Sequence, residues 1–336
     1  MLKLALISLS IFTLTGCSPQ PSEIYHEYQN RLSTALNSTT PDIPDSRSLH
    51  HPNVTRPTST LSISIIELAS INHCRLSQTI AKRNNQLGKV QLPSEALKYS
   101  IQFVQQANEC INSGQTNNPL IKDKLLEARR EKQHQLNLFF EHMLFSEREL
   151  KQFTHLAATE VSFDRHSELQ NQTLEALAQL VQLKQLLSQK DKIENLEATE
   201  ITTVLKKLHK NAFVQRVITS ARQQVLLNQA TSAWLHTVDI ENTVCPSGKN
   251  KQKAHILNNI FSKYYLGQLQ GYQAQLTSML QKVSPFLAAL WQNHPELVQW
   301  VDENNPQSLL TQLKSSAISH VKWWQTFYKT CKIRPQ

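Results

Sequence analysis

The densest run of ionisable side chains is Glu160, Asp164, Arg165, His166 and Glu168. On a helix, Glu160 and Asp164 would share a face, a spacing that could pair a general acid with a general base. The same residues also suit a capped helix start, with Arg165 as counter-ion, and the composition favours that structural role. A second polar group, Arg83, Asn84, Asn85 and Lys89, brackets Gly88. Its cations and amides make it the best recognition candidate, beside a simpler role in satisfying carbonyls at a helix end. The 13 histidines are scattered, and His134 and His142, eight residues apart, have no carboxylate completing an obvious site, so neither a metal nor a cofactor is expected. No GxSxG elbow, HExxH helix, Walker loop or GxGxxG fingerprint is present. Two basic regions, Lys206 to Arg222 and Lys249 to Lys253, read as solvated surface.

The elements that must carry these groups are helical. Only 6 glycines occur in 336 residues, against many Leu, Gln, Ala, Lys and Glu, which argues against a β-sandwich or a dinucleotide fold. The spacing predicts a short helix over 22–36, with Ile24, Tyr28, Leu32 and Ala35 on one face. Residues 37–60 hold Pro41, Pro44, Pro52 and Pro57 among Ser, Thr and Asn, an extended connector that could cross the surface or act as a tether. From Leu61 onward one helical body is expected. Ile65, Leu68, Ala69, Asn72, Leu76 and Ile80 trace one helix face that ends at Gly88. Pro119, Pro285, Pro295 and Pro306 mark helix starts. Ser146-Glu147-Arg148-Glu149 reads as a capping box with a Phe145/Leu150 staple. Residues 254–283 form a central two-sided helix in which Gly267 and Gly271 mark a close backbone approach within the core. Trp323 and Trp324 point about 100° apart on a helix, so they cannot both face the same neighbour; core burial is favoured, with one rimming a partner-binding groove as the alternative. The fold class is therefore all-α, an antiparallel multi-helix bundle behind a Pro/Ser/Thr-rich connector.

Lys3, the apolar stretch Leu4 to Leu14, and Leu14-Thr15-Gly16-Cys17 resemble a bacterial lipoprotein signal. That resemblance implies cleavage before Cys17, lipid on its thiol and amine, and a body held on a membrane surface. Residues 1–16 are then a signal peptide, 17–60 an anchored helix and connector, and 61–336 the helical domain. Ser18, in place of aspartate, implies the periplasmic face of the outer membrane. Losing residues 1–16 removes only Lys3 and lowers the net charge from +9 to +8. In that compartment a basic chain meets anionic lipid, acidic glycan or an acidic protein face, and no nucleic acid. Cys74, Cys110, Cys245 and Cys331 remain, an even number in an oxidising compartment. Three pairings are possible, and Cys74–Cys110 with Cys245–Cys331 is favoured because each joins neighbouring helical segments. Zinc is disfavoured because no CxxC pair occurs.

Three stretches carry a wider resemblance. They are Ile65 to Cys74 with Ile80 to Val90, Cys245-Pro246 through Ile256-Leu257 to Phe261-Ser262-Lys263-Tyr264-Tyr265, and Trp324 to Cys331. On these the chain resembles the uncharacterised gammaproteobacterial lipoproteins known as domain of unknown function 3080. Residues 145–240 carry least of the pattern, and Asn85 stands where a serine is expected. The resemblance implies a helical fold and an envelope address and brings no activity. The function expected is a non-catalytic structural or adaptor lipoprotein that binds an envelope component through a groove or basic face. The alternatives are an enzyme acting on envelope glycan, peptide or lipid, and a lipid-binding protein, the last favoured by a deep cavity between helices.

Overall fold

Prolines in first turns and capping side chains set several helix starts in the computed structural model, which describes residues 19–58, 62–85, 91–163 and 167–335. Helix α1 (Pro21–Leu36) opens on a proline whose missing N–H costs nothing there, and ends at Asn37 with a left-handed φ of 55°. Helix α2 (Ile65–Ser70) is started by a reciprocal box in which Ser64 and Glu67 satisfy each other's backbone N–H groups. Helices α3 (Arg75–Asn84), α4 (Pro93–Asn112) and α5 (Pro119–Ser146) follow, the last two again opening on proline. Glu147, buried after α5, accepts from the Ser94 N–H at 2.8 Å and so places a carboxylate at the start of α4. The chain continues through α6 (Arg148–Lys151), α7 (Ser167–Leu187), α8 (Glu200–Leu208) and α9 (Phe213–His236). Helix α10 (Gln252–Ile260) runs through a π-helical stretch (Phe261–Leu269) into α11 (Gln270–Leu290). Helices α12 (Pro295–Val298) and α13 (Leu309–Cys331) complete the body. No strand occurs among the described residues, and the fold is all-α. None of their helices is long and apolar enough to cross a membrane.

Three apolar clusters hold the helices together. The largest joins α4, α5, α7, α8, α9 and α11. A second joins α1, the end of α9, the π-helical stretch and α13, where Tyr25, Tyr28 and Leu32 are fully buried. The third lies among α2, α3, α4 and the first half of α5, around the Cys74–Cys110 disulfide. The connector runs over the body. Leu49 enters the largest cluster and its N–H donates to the Thr154 carbonyl at 3.1 Å, while His51 bonds the Thr154 hydroxyl at 2.8 Å. Both disulfides have the favoured pairing, with Cα–Cα distances of 5.4 Å for Cys74–Cys110 and 5.5 Å for Cys245–Cys331.

Several local expectations are corrected. The helix face from Ile65 to Ile80 is broken at residues 71–74, because the Ser64 box starts one helix and Cys74, fixed by its disulfide, precedes another; Ile65 is left exposed. Gly88 lies outside the described residues. Pro285 sits inside α11, and Pro306 lies in a turn ahead of Ser308, whose hydroxyl caps α13. Ser146 closes α5 instead of capping α6, although Phe145 and Leu150 are both buried. Gly267 and Gly271 are exposed: a Cβ on the first would meet only the Ser262 carbonyl of its own π-helical stretch, and one on the second would meet nothing. The favoured burial of the two tryptophans, in contrast, is what the structure shows. Trp324 stacks on Phe261 at 4.2 Å and Trp323 on Phe327 at 5.8 Å, both buried.

Candidate functional site

Helix α3 is pinned to α4 by Cys74–Cys110, and α4 packs along α5. This arrangement leaves a pocket of about 550 Å³ above the third cluster. Its floor is apolar, built from Ile80 of α3, Ala96, Tyr99 and Phe103 of α4, and Phe139 of α5. Four cations surround it: Arg56 from the connector, Arg83 from the last turn of α3, and Lys124 and Lys132 from α5. None of the described lining residues is acidic. Lys124 is already engaged, donating to both Glu67 oxygens at 2.8 and 2.9 Å. That contact, together with the Ser64 backbone and hydroxyl, holds the Glu67 carboxyl at about 2.

The other three cations bear on one another. The Arg83 guanidinium lies 5.4 Å from the Tyr99 ring centre and the Lys132 ammonium 5.0 Å from that of Phe139. Burial pushes the Lys132 pKa down, and the Arg83 and Arg56 charges push it further while Glu131 opposes them. Arg83 is lowered by burial and then by Arg56, with Tyr99 opposing. His142 is lowered by burial and by Arg56, and its Nδ1 is buried without a partner. An anion entering here would meet charge-assisted donors and relieve like-charge repulsion, while the rings beneath would accept an apolar body.

The family model described as Protein of unknown function (DUF3080) matches residues 25–335. The chain belongs to this family. No curated protein and no solved structure matches it.

In this DUF3080 chain the predicted recognition group divides. Arg83 and Asn84 line the pocket, Asn85 follows α3 as its C-cap and is not among the described lining residues, and Lys89 lies outside the described residues. Sequence reasoning missed Arg56, Tyr99 and Lys132. Lys124, Ala128 and Lys132 are spaced four apart and share a face of α5, a signal that was available. Arg56 gives none, since only the path of the connector brings it here.

The acid–base pair on a shared helix face is corrected. Glu160 lies in a non-helical segment before α7, where its Oε1 accepts from the Ser22 N–H at 3.2 Å and its own N–H donates to Gln20 Oε1 at 3.1 Å. It serves the start of α1. Burial raises its pKa, and its Oε2 is buried without a partner. Glu168 is exposed in the first turn of α7, and Asp164, Arg165 and His166 lie outside the described residues. Ligand atoms of His73, Cys74 and Cys110 come within 4.8 Å of one another, but both sulfurs are spent in the disulfide and His73 bonds the Thr116 hydroxyl. In the basic regions, Lys207 pairs with Glu175 at 2.9 Å, Arg222 lies over the Trp300 ring at 4.7 Å, and Lys249 and Lys251 are exposed. Cys17 lies outside the described residues.

Proposed function

We propose that this chain is a lipid-anchored envelope protein that binds an anionic amphiphile without transforming it. The observation that carries the reading is the pocket itself, in which Arg56, Arg83 and Lys132 crowd an aromatic floor with no acidic residue in the described lining. Charge calls for a carboxylate or phosphate, and the floor calls for an apolar body. Leu14-Thr15-Gly16-Cys17 and the adjoining Ser18 support an anchor at Cys17 and the periplasmic face of the outer membrane. Helix α1 begins four residues beyond Cys17 and is packed in the second cluster, so lipid at Cys17 would hold the body close to the bilayer without a long tether.

The test uses the purified full-length protein in phosphatidylcholine nanodiscs, titrated calorimetrically with octyl phosphate, with empty discs as the reference. Arg56→Gln and Lys132→Gln are each expected to weaken binding about tenfold or more, since a hydrogen bond to a charged group contributes ~1.5–3 kcal/mol. Their melting temperatures should hardly change. Absence of binding by the wild type would remove the reading, and release of octanol and phosphate would turn it toward an enzyme. The anchor is tested separately: Cys17→Ser should abolish incorporation of labelled palmitate and free the protein from the membrane fraction.

A further inference from the structure

On the far side of Arg83 and Tyr99 from the cationic pocket, α3 and α4 enclose a second groove of about 430 Å³. Arg83 and Tyr99 line both cavities, so they form a shared wall rather than the boundary of two separate sites. The two sides differ in chemistry. The first is a floor of rings and aliphatic groups under cations. The second is walled by amides, Gln78 from α3, Gln102 and Gln106 from α4, and Gln91 just before α4, with the Thr79 hydroxyl among them and the cations Arg75, Lys82 and Lys98 also in the lining. Thr79 donates to Gln106 Oε1 at 2.7 Å, which leaves the Gln106 amide N–H groups directed elsewhere. The Gln91 Oε1 is buried with no hydrogen-bond partner. Glu95, the acidic residue in the lining, is paired with Lys98 at 2.5 Å.

An amide offers two donors and an acceptor, and a sugar hydroxyl offers one donor and two acceptor sites, so a wall of glutamines and threonine complements a polyol. A simple anion would make no use of the neutral acceptors. At the junction, the planar guanidinium of Arg83 has the fork geometry that takes two phosphate oxygens together. We infer that the two cavities are one continuous site for a glycosyl alkyl phosphate, with the chain on the aromatic floor, the phosphate at Arg83 and the sugar in the glutamine groove. This rests on the anion-binding reading of the first pocket and extends it by naming the third part of the ligand.

The experiment compares three probes on the full-length protein in phosphatidylcholine nanodiscs: octyl phosphate, octyl glucoside, and the phosphodiester octyl glucosyl phosphate. Partition into the discs is the same for every variant and cancels. The diester is expected to bind at least tenfold more tightly than octyl phosphate, and octyl glucoside more weakly than either. Gln78→Ala with Gln102→Ala, the first exposed and the second half-buried, should erase the advantage of the diester and leave octyl phosphate affinity unchanged. Arg83→Gln should weaken both phosphates. Equal binding of the two phosphates, or a diester advantage that survives the glutamine substitutions, would overturn the glycosyl assignment while the anion site stands. Loss of all phosphate binding, or indifference of octyl phosphate to Arg56→Gln, would instead overturn the reading beneath it.

Discussion

His320 is fully buried at the centre of a polar chain that ties α1 to α13. The Tyr28 hydroxyl donates to His320 Nε2 at 2.9 Å, and the Trp324 indole N–H donates to that hydroxyl at 3.1 Å. His320 Nδ1 then carries the ring proton, facing the Ser232 hydroxyl at 3.4 Å. Burial pushes this imidazole down to about 3 from its ordinary 6.5. Between those values the unfolded chain binds a proton that the folded chain refuses, so stability falls as pH drops below about 6.5 and keeps falling until about 3. At 1.36 kcal/mol per pKa unit, the loss from pH 7 to pH 4.5 is roughly 2–3 kcal/mol from this group. Urea unfolding at the two values should show it, and His320→Gln should flatten the slope; an unaltered slope would place the acid lability elsewhere. Glu67, held low, adds to the same trend, whereas Glu160, held high, works against it, because its ionised form is disfavoured as pH rises through its raised pKa. At this scale the cysteines were legible, since their even number and their neighbouring helical segments, with the oxidising compartment that the Cys17 signal implies, reduce the pairings to a preferred one. His320 was not: a lone histidine on an apolar face has no signature until Tyr28, nearly three hundred residues earlier, is placed beside it.

Helices were legible where apolar periodicity survives, as in α1, or where a first-turn proline marks the start, as Pro119 does in α5 and Pro295 in α12. What failed were signals with two physical solutions. Pro285 could have opened a helix, yet it lies exposed within α11, where an absent N–H faces no dry surroundings. The glycine pair could have met another backbone, and instead Gly267 lies within the π-helical stretch and Gly271 just beyond it, both exposed. The disulfides give the elements unequal tasks. Each closes a loop that the chain-entropy model values at about 4 kcal/mol as an upper figure. Cys74–Cys110 also fixes α3, which carries Arg83, against α4, which carries Tyr99. Cys74→Ser with Cys110→Ser should therefore lower both urea resistance and octyl phosphate affinity. Cys245→Ser with Cys331→Ser should lower resistance by a similar amount and spare affinity. Equal losses of affinity from the two pairs would mean that the pocket follows global stability and not the clamp.

For the molecule as a whole, the cationic surplus and the position of α1 decide how it works. Four cations line the pocket with no acidic residue among the described lining residues, and Lys132 begins to lose its proton below the usual lysine range. Octyl phosphate binding should then weaken as pH rises, starting before ordinary lysines titrate, and Lys132→Arg should move that decline to higher pH. Binding that holds constant up to the ordinary lysine range would remove Lys132 from the site. The candidate site was half legible in the same sense: Arg83 and Asn84 were visible as a polar group at a helix end, but a pocket needs walls from the connector and α5 that only folding assembles. Helix α1 makes the same point about the body. Its sequence suggests a small amphipathic helix beside an anchor, yet Tyr25, Tyr28 and Leu32 have no exposure and Gln29 donates to the Thr231 hydroxyl of α9 at 2.8 Å. Burying those three apolar side chains contributes roughly 6 kcal/mol at ~1.5–3 each, comparable with the whole net stability of a typical domain, ~5–15 kcal/mol. Removing α1 would also take away the Tyr25 hydroxyl that donates to Asn228 at 2.8 Å and the Tyr28 hydroxyl that bonds His320 at 2.9 Å. Deleting residues 19–36 should consequently abolish the cooperative melt seen by circular dichroism and leave α9 and α13 open to protease. A deletion variant that melts cooperatively at the temperature of the full chain would reduce α1 to a spacer ahead of the body.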